Sequence, residues 1–281
     1  MIFWFSGTGN SLWLAHFFAT NTNELLISIS EYENKKTSFN ISVSSEERIG
    51  FVFPIYGWNI PKIVREFIEH IHIVNYNDNF VYFACTCGDD IGRADREMRK
   101  LLNKKGIELN CVFSLQMPNT YVCLPGFDVD AKKTQENKLK NAVQQANVFC
   151  QDVLDRKVGL SCIHPGAFPW IKTYIFGRFF YKYLMKSEQF GIYGTCIGCG
   201  RCVKFCPLEN ITLEKNLQGG FGSSNFFVHW GSNCTMCLSC YHHCPQHVVK
   251  YGKQTKGKGQ YVHPDDEMLK EGNRKLRSKF L

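Results

Sequence analysis

The chain opens Ile2-Phe3-Trp4-Phe5-Ser6-Gly7-Thr8-Gly9-Asn10-Ser11-Leu12-Trp13-Leu14-Ala15. It is a short apolar run, then a loop of small and hydroxyl-bearing residues, then a helix-like segment. A strand that turns through glycines into a helix presents backbone amides and hydroxyls at the helix N-terminus. They suit a phosphate there, and the glycines let the backbone approach it closely. The loop is not the dinucleotide fingerprint GxGxxG, because Gly7 and Gly9 are followed by Leu12. It also lacks the lysine of a nucleoside-triphosphate loop. A monophosphate such as that of FMN fits better, with Ser6, Gly7, Thr8, Gly9, Asn10 and Ser11 as its cradle.

Beyond this loop, apolar runs alternate with amphipathic ones. Strand-like segments span Ile2–Phe5, Leu25–Ile29, Ile49–Phe53, Phe80–Cys85 and Leu109–Leu115; helix-like ones span Asn10–Ala19, Pro61–His70, Ile91–Lys104 and Ala131–Leu154. This order predicts an α/β doubly wound parallel sheet over residues 1–158. The polar, serine-rich stretch 39–47 gives no helix signal. Residues 159–189, with Pro165, Pro169 and an aromatic stretch, read as a bridge. Residues 253–281 read as a basic tail, extended with a short terminal helix, its eight Lys+Arg facing four acids.

The 281 residues are 44% hydrophobic and 21% charged, as in an ordinary globular protein. The N-terminus lacks the basic, apolar and small-residue regions of a signal peptide, so fourteen cysteines point to metal binding in the cytoplasm rather than to disulfides. The most apolar stretch, 168–185, is broken by Lys172, Arg178 and Lys182, so no membrane span is expected. Arg178–Tyr183 has the aromatic and basic residues of a lipid-facing segment, but a packing helix between domains is the favoured reading over peripheral membrane contact. Residues 161–281 hold 16 Lys+Arg against 7 Asp+Glu. A negatively charged cofactor bound there would offset much of that excess. No nucleic-acid partner is expected.

One internal repeat stands out: TCIGCGRCVKFCPLENI (195–211) and NCTMCLSCYHHCPQHVV (233–249) align without gaps over their cysteines and prolines. Each reads CxxCxxCxxxCP. Three cysteines at this spacing can wrap one cubane while the fourth departs with the next segment. Four-cysteine zinc sites also use CxxC pairs, yet zinc gives no reason for a third cysteine and a proline twice over. The ligand candidates are Cys196, Cys199, Cys202, Cys206, Cys234, Cys237, Cys240 and Cys244. Cys85, Cys87, Cys111, Cys123, Cys150 and Cys162 read as small buried apolar residues. With the cysteine count complete, His242 and His243 are expected at the surface or behind the ligands.

Residues 190–252 resemble a bacterial two-cluster ferredoxin, a small α+β domain holding two 4Fe-4S clusters. The resemblance implies that Cys196, Cys199 and Cys202 share a cluster with Cys244, and Cys234, Cys237 and Cys240 with Cys206. The connection 208–233 is longer than in the shortest ferredoxins, and its Gly219-Gly220-Phe221-Gly222 and Phe226–Trp230 are expected to tune potential through amides and aromatic cover.

Residues 1–158 resemble a flavodoxin, and the whole chain resembles the fused flavodoxin-ferredoxin proteins of anaerobic bacteria. The resemblance implies FMN at the carboxyl ends of the strands. There Tyr56 and Trp58 are candidates to stack on the flavin, Gly57 to face its N5 edge, and Thr86, Cys87 and Gly88 to line the next loop. Met117–Tyr121 is placed to close the same cleft.

The expected function is electron transfer between redox partner proteins, two 4Fe-4S clusters and FMN. Two alternatives stand beside it: a flavin-dependent reductase fed by the clusters, with Asp89 and Asp90 the nearest acids, and a docking ferredoxin whose flavodoxin-like part lacks flavin.

Overall fold

The computed structural model describes residues 1–35, 39–184, 186–215 and 226–266. Its centre is a six-stranded parallel sheet. The strands are β1 (Ile2–Trp4), β2 (Leu26–Ser28), β4 (Ile49–Pro54), β6 (Val81–Cys87), β7 (Cys111–Gln116) and the two-residue β8 (Ser161–Cys162), in the order β2-β1-β4-β6-β7-β8. Every pairing in it is parallel. Parallel strands need crossovers, and these are supplied by α1 (Asn10–Thr22), α3 (Lys62–His70), α4 (Ala94–Asn103) and α5 (Lys132–Leu154).

The sheet is apolar on both faces because helices cover both. Phe3, Phe5, Phe51 and Phe53 point to one side, with Phe67 of α3 and Met98 of α4. Ile2, Trp4, Val52 and Tyr82 point to the other, with Phe18 of α1 and Phe149 of α5. Stacked pairs such as Phe53–Phe83 (4.6 Å) and Phe113–Phe149 (4.5 Å) fill these layers. Each such ring contributes about 1.5–3 kcal/mol through burial.

Two features were not foreseen. Ile29 begins a helix, α2 (Ile29–Lys35), and the stretch with no helix signal instead supplies β3 (Phe39–Ser42), paired in parallel with β5 (Ile71–Val74). The expectation for Gly219–Gly222 and for a terminal helix falls outside the described residues.

The cysteine repeats form an α+β unit with internal twofold character. The strand Phe190–Ile192 before the first repeat pairs antiparallel with Val249–Tyr251 after the second. The strand Phe226–Trp230 before the second pairs antiparallel with Ile211–Lys215 after the first. The offset that maps Cys196 onto Cys234 also maps the pair Ile192↔Val249 onto Trp230↔Ile211. It maps the left-handed residues Gly198, Gly200 and Glu209 onto Met236, Leu238 and His247 as well. Sequence duplication has become structural symmetry, down to backbone conformations that only glycine adopts at little cost.

A continuous helix from Pro169 to Leu184, with π-helical turns at Lys172–Gly177 and Phe180–Leu184, bridges the two units. The Thr173 hydroxyl donates to the Trp58 carbonyl (2.9 Å), Tyr181 to that of Ile60 (2.9 Å), and Tyr251 reaches back to that of Leu184 (3.1 Å). The C-terminal segment is not simply an extended solvated tail. Residues 258–266 form a strap packed between the units: Gly259 N–H donates to Asp128 (2.9 Å), the Tyr241 hydroxyl to the Gly259 carbonyl (3.0 Å), and His263 N–H to the Thr8 carbonyl (2.8 Å).

Candidate functional site

At the carboxyl ends of β1, β4, β6 and β7 lies a cleft, where ligands bind in sheets of this kind. Its floor is the glycine loop. Ser6, Gly7, Thr8, Asn10 and Ser11 line it. Gly9, the N-cap of α1, has φ 93°, and no side chain caps this 13-residue helix, so its first turn faces the cleft with amides left for a ligand. Gly9 N–H bonds back to the Ser6 hydroxyl (3.2 Å), and Ser11 Oγ meets Thr86 Oγ1 at 2.7 Å, tying the loop to β6.

Asn10 is committed elsewhere. Its amide donates to the Pro118 carbonyl (3.1 Å), and its oxygen accepts from the Tyr261 hydroxyl (2.9 Å). It therefore ties three segments together, with one N–H of its amide still to spare. His263, stacked on Trp13, and Asp266 pack on Gly9 from the strap. Sequence reading left the strap's start to solvent because its Lys and Gly residues mask the buried Tyr261, His263 and Asp266 between them.

The walls come from the expected loops. Tyr56 and Gly57 line one side, Thr86, Cys87 and Gly88 the next, and Met117–Tyr121 the third. Trp58 corrects the sequence reading: it is not among the lining residues, and Lys172 Nζ sits 5.7 Å over its ring. Asp89 and Asp90 are outside as well; Asp90 pairs with Lys172, and exposed Asp89 lies 3.7 Å from Lys138. Lys138, on α5, sets two of the loops. It donates to the Gly88 carbonyl (2.8 Å) and to Asp130 (2.7 Å), which accepts Asn119 N–H (2.9 Å). No Asp, Glu, Lys, Arg or His is among the described residues lining the cleft.

The cover was not legible in sequence. Phe180 of the bridging helix comes close enough to Gly57 that a Cβ there would lie 2.5 Å from its ring, and Met236, Cys237 and Leu238 of the second repeat close the remainder.

One cysteine of the first repeat gathers with three of the second. Cys206, Cys234, Cys237 and Cys240 line a single second cavity beside the cleft. Burial pushes the Cys240 thiol well up; the Trp230 indole lowers it, and Cys237, Cys234 and Cys206 raise it further. Cys202 is pushed up to about 11, first by burial, while the Val203 amide lowers it and Cys196, Cys199 and Cys244 raise it. Cys244 thus bears on Cys202, and Cys206 on Cys240, each from the other repeat. Thiols so crowded resist becoming thiolates unless positive iron neutralises them, which fits a cluster in each group.

Several donors aim at these sulfurs: Gly198 N–H at Cys196 (3.4 Å), Asn210 N–H at Cys206 (3.3 Å), Met236 N–H at Cys234 (3.4 Å) and the Trp230 indole at Cys240 (3.5 Å). Hydrogen bonds to sulfur are a lever on cluster potential. Among the eight, Cys199 is exposed.

His242 and His243 are buried behind the second repeat. His242 Nε2 donates to the Thr120 carbonyl (2.7 Å) and its Nδ1 accepts Tyr261 N–H (3.2 Å); burial lowers its pKa to about 4, which keeps it neutral. His243 stacks on Phe205 (4.0 Å) and bonds Asp266 (2.9 Å). Of the six other cysteines, five are buried and Cys162 is half-buried.

Comparison with known proteins agrees with this division. Residues 1–122 match the flavodoxin domain and residues 195–249 the 4Fe-4S dicluster domain. The chain thus carries a flavodoxin domain followed by a 4Fe-4S dicluster domain. It is 36% identical over 66 residues to FMN-dependent NADH:quinone oxidoreductase 2 of Mesoplasma florum. That match spans 23% of this chain and 32% of that protein, about a third of its length. Among solved structures, a putative flavoprotein from Bacteroides uniformis is 18% identical, covering 50% of this chain and 96% of that one, with TM-score 0.33. An azoreductase from Bacillus anthracis is 8% identical, covering 55% and 98%, with TM-score 0.35.

Proposed function

We propose that the chain relays electrons between a partner protein and FMN held in the cleft, through two 4Fe-4S clusters in series. The observation that carries this reading is Cys237, which lines both the cleft and the adjoining cavity of Cys206, Cys234 and Cys240. The group with Cys196, Cys199, Cys202 and Cys244 is then the outer one, since Cys199 is exposed. FMN supplies one- and two-electron chemistry when bound, and each cubane supplies one-electron chemistry.

The chain's own residues hold and seal. Ser6, Thr8 and the first turn of α1 would receive the phosphate, with neutral donors rather than a cation. Tyr56, Phe180 and Met236 exclude water from the ring end. A relay is favoured over a reductase because Phe180 and the 236–238 loop occupy the approach a substrate would need, and no Asp, Glu, Lys or His lines the described wall to protonate one.

The test uses anaerobically purified full-length protein, assayed for FMN and for about eight iron atoms per chain. A reduced one-electron protein carrier should bleach the flavin. Cys206→Ala, which damages the group beside the cleft, should slow that bleaching about tenfold or more while leaving photochemical flavin reduction intact. Equal rates, or rapid bleaching of the wild type by NADH alone, would defeat the relay reading.

A further inference from the structure

The bridging helix has a second face that the cleft does not use. Inward, Thr173, Gly177 and Phe180 are buried on the flavodoxin loops. Outward, Phe168 is 76% exposed, Trp170 59%, Phe176 55% and Phe179 54%, with Ile175 and Tyr183 beside them. Solvent-exposed aromatics gathered on one helix are unlike the scattered single apolar residues of an ordinary surface.

The charges carried by the bridging segment itself have one sign. Between Lys157 and Glu188 the sequence contains Lys172, Arg178, Lys182 and Lys186 and no Asp or Glu. Of the acids on α4 and its preceding loop, Asp90 pairs with Lys172, while Glu97, which bonds the Tyr174 hydroxyl, and Asp95 lie near Tyr174 together with Arg96. Arg178 and Lys182 are exposed and lie over the rings of Tyr174 (5.9 Å) and Tyr183 (5.1 Å). Cations resting on aromatic rings, with an apolar stripe beyond them, match the headgroup-to-acyl boundary of a bilayer. A twofold pairing with a second copy would instead set Arg178 and Lys182 against their own like charges.

We propose that the outward face of the 169–184 helix docks the protein on an anionic membrane surface, with Phe168, Trp170, Phe176 and Phe179 entering the headgroup boundary and Arg178 and Lys182 meeting lipid phosphates. The helix lies on the membrane; no helix among the described residues is long and apolar enough to cross one. Its inner face covers the cleft through Phe180, so docking sets the cover of the candidate site against the lipid.

Sedimentation of the cofactor-loaded full chain with extruded vesicles tests this. Binding is expected to vesicles of phosphatidylcholine with phosphatidylglycerol at low salt, and about tenfold weaker to phosphatidylcholine alone or at high salt. Two double variants, Phe176→Ser with Phe179→Ser and Arg178→Glu with Lys182→Glu, should each weaken binding about tenfold or more without changing iron or flavin content. No sedimentation with either vesicle, binding undiminished in both variants, or self-association that the phenylalanine substitutions abolish without any vesicle binding would each overturn the proposal.

Discussion

Gly7 of the glycine loop and Cys237 of the second cysteine repeat are in direct contact. A Cβ on Gly7 would lie 2.6 Å from the Cys237 carbonyl oxygen and 3.0 Å from the Cys237 Cβ. The two halves of the chain are therefore docked through a residue whose only side-chain atom is hydrogen, at the point where the cleft meets the cysteine cavity.

Gly7→Ala should push these halves apart. Gly7 needs no left-handed backbone, so the cost is steric, about 1–3 kcal/mol of overpacking. FMN affinity, read by fluorescence titration, is expected to fall about tenfold, and carrier-driven flavin bleaching to slow with it. An unchanged bleaching rate would show that this contact does not set the approach of cluster and flavin.

Tyr261→Phe removes the hydroxyl that the strap gives to Asn10 and leaves the ring in place. One hydrogen bond is worth about 0.5–1.5 kcal/mol, so the FMN dissociation constant should rise about two- to tenfold. Iron content should stay the same, because the residue touches the cysteine repeats only through His242. Thr8→Ala should weaken FMN more, by about 1–3 kcal/mol, if its hydroxyl meets the charged phosphate.

Lys138→Met cuts the links to Gly88 and Asp130 while keeping the packing of the side-chain stem. Asp130 is left half-buried with Asn119 N–H as a remaining partner, and the two loops it organises lose their common anchor. Weaker FMN binding with little loss of thermal stability is the expected pattern. A large drop in melting temperature with unchanged binding would make Lys138 a stability residue only.

The parallel doubly wound sheet and the dicluster domain were legible because they depend on local pattern. Apolar runs such as Ile49–Phe53 mark strands covered on both faces, and CxxCxxCxxxCP fixes three sulfurs in one loop. The cover of the cleft was not legible, since Phe180, Met236 and Leu238 reach it by docking of segments more than a hundred residues away from the glycine loop. Trp58 misled for a related reason: its position after β4 was right for a ring contact, but φ 57° at that residue and Lys172 turn it to the bridging helix.

Gly198→Ala tests the symmetry of the repeats. Gly198 (φ 67°) and its counterpart Met236 (φ 55°) share the left-handed conformation, but at Gly198 the Phe226 ring occupies the space a Cβ needs. The substitution should destabilise the outer group, lowering iron content toward about four atoms per chain. Met236→Gly should relieve backbone cost yet open the cleft cover, weakening FMN and leaving iron unchanged.

The crossed grouping of the cysteines gives the last prediction. Cys206 belongs by sequence to the first repeat, yet it lines the cavity of Cys234, Cys237 and Cys240, and its charge bears on Cys234 and Cys240. Cys244 belongs to the second repeat, yet it bears on Cys202. The proline after each fourth cysteine, Pro207 or Pro245, has no N–H to carry a helix onward, so the chain turns away from its own loop there, as the crossed grouping requires. Cys206→Ala should therefore change the cluster next to the cleft and slow flavin bleaching. Cys244→Ala should change the outer cluster and leave photochemical flavin reduction untouched. Electron paramagnetic resonance of each variant, in a background where the other group is already removed, identifies which centre loses an iron or becomes a three-iron centre. If Cys206→Ala altered only the centre of Cys196, Cys199 and Cys202, each repeat would hold its own cluster, and the path from Cys237 to the cleft would begin from a different set of ligands.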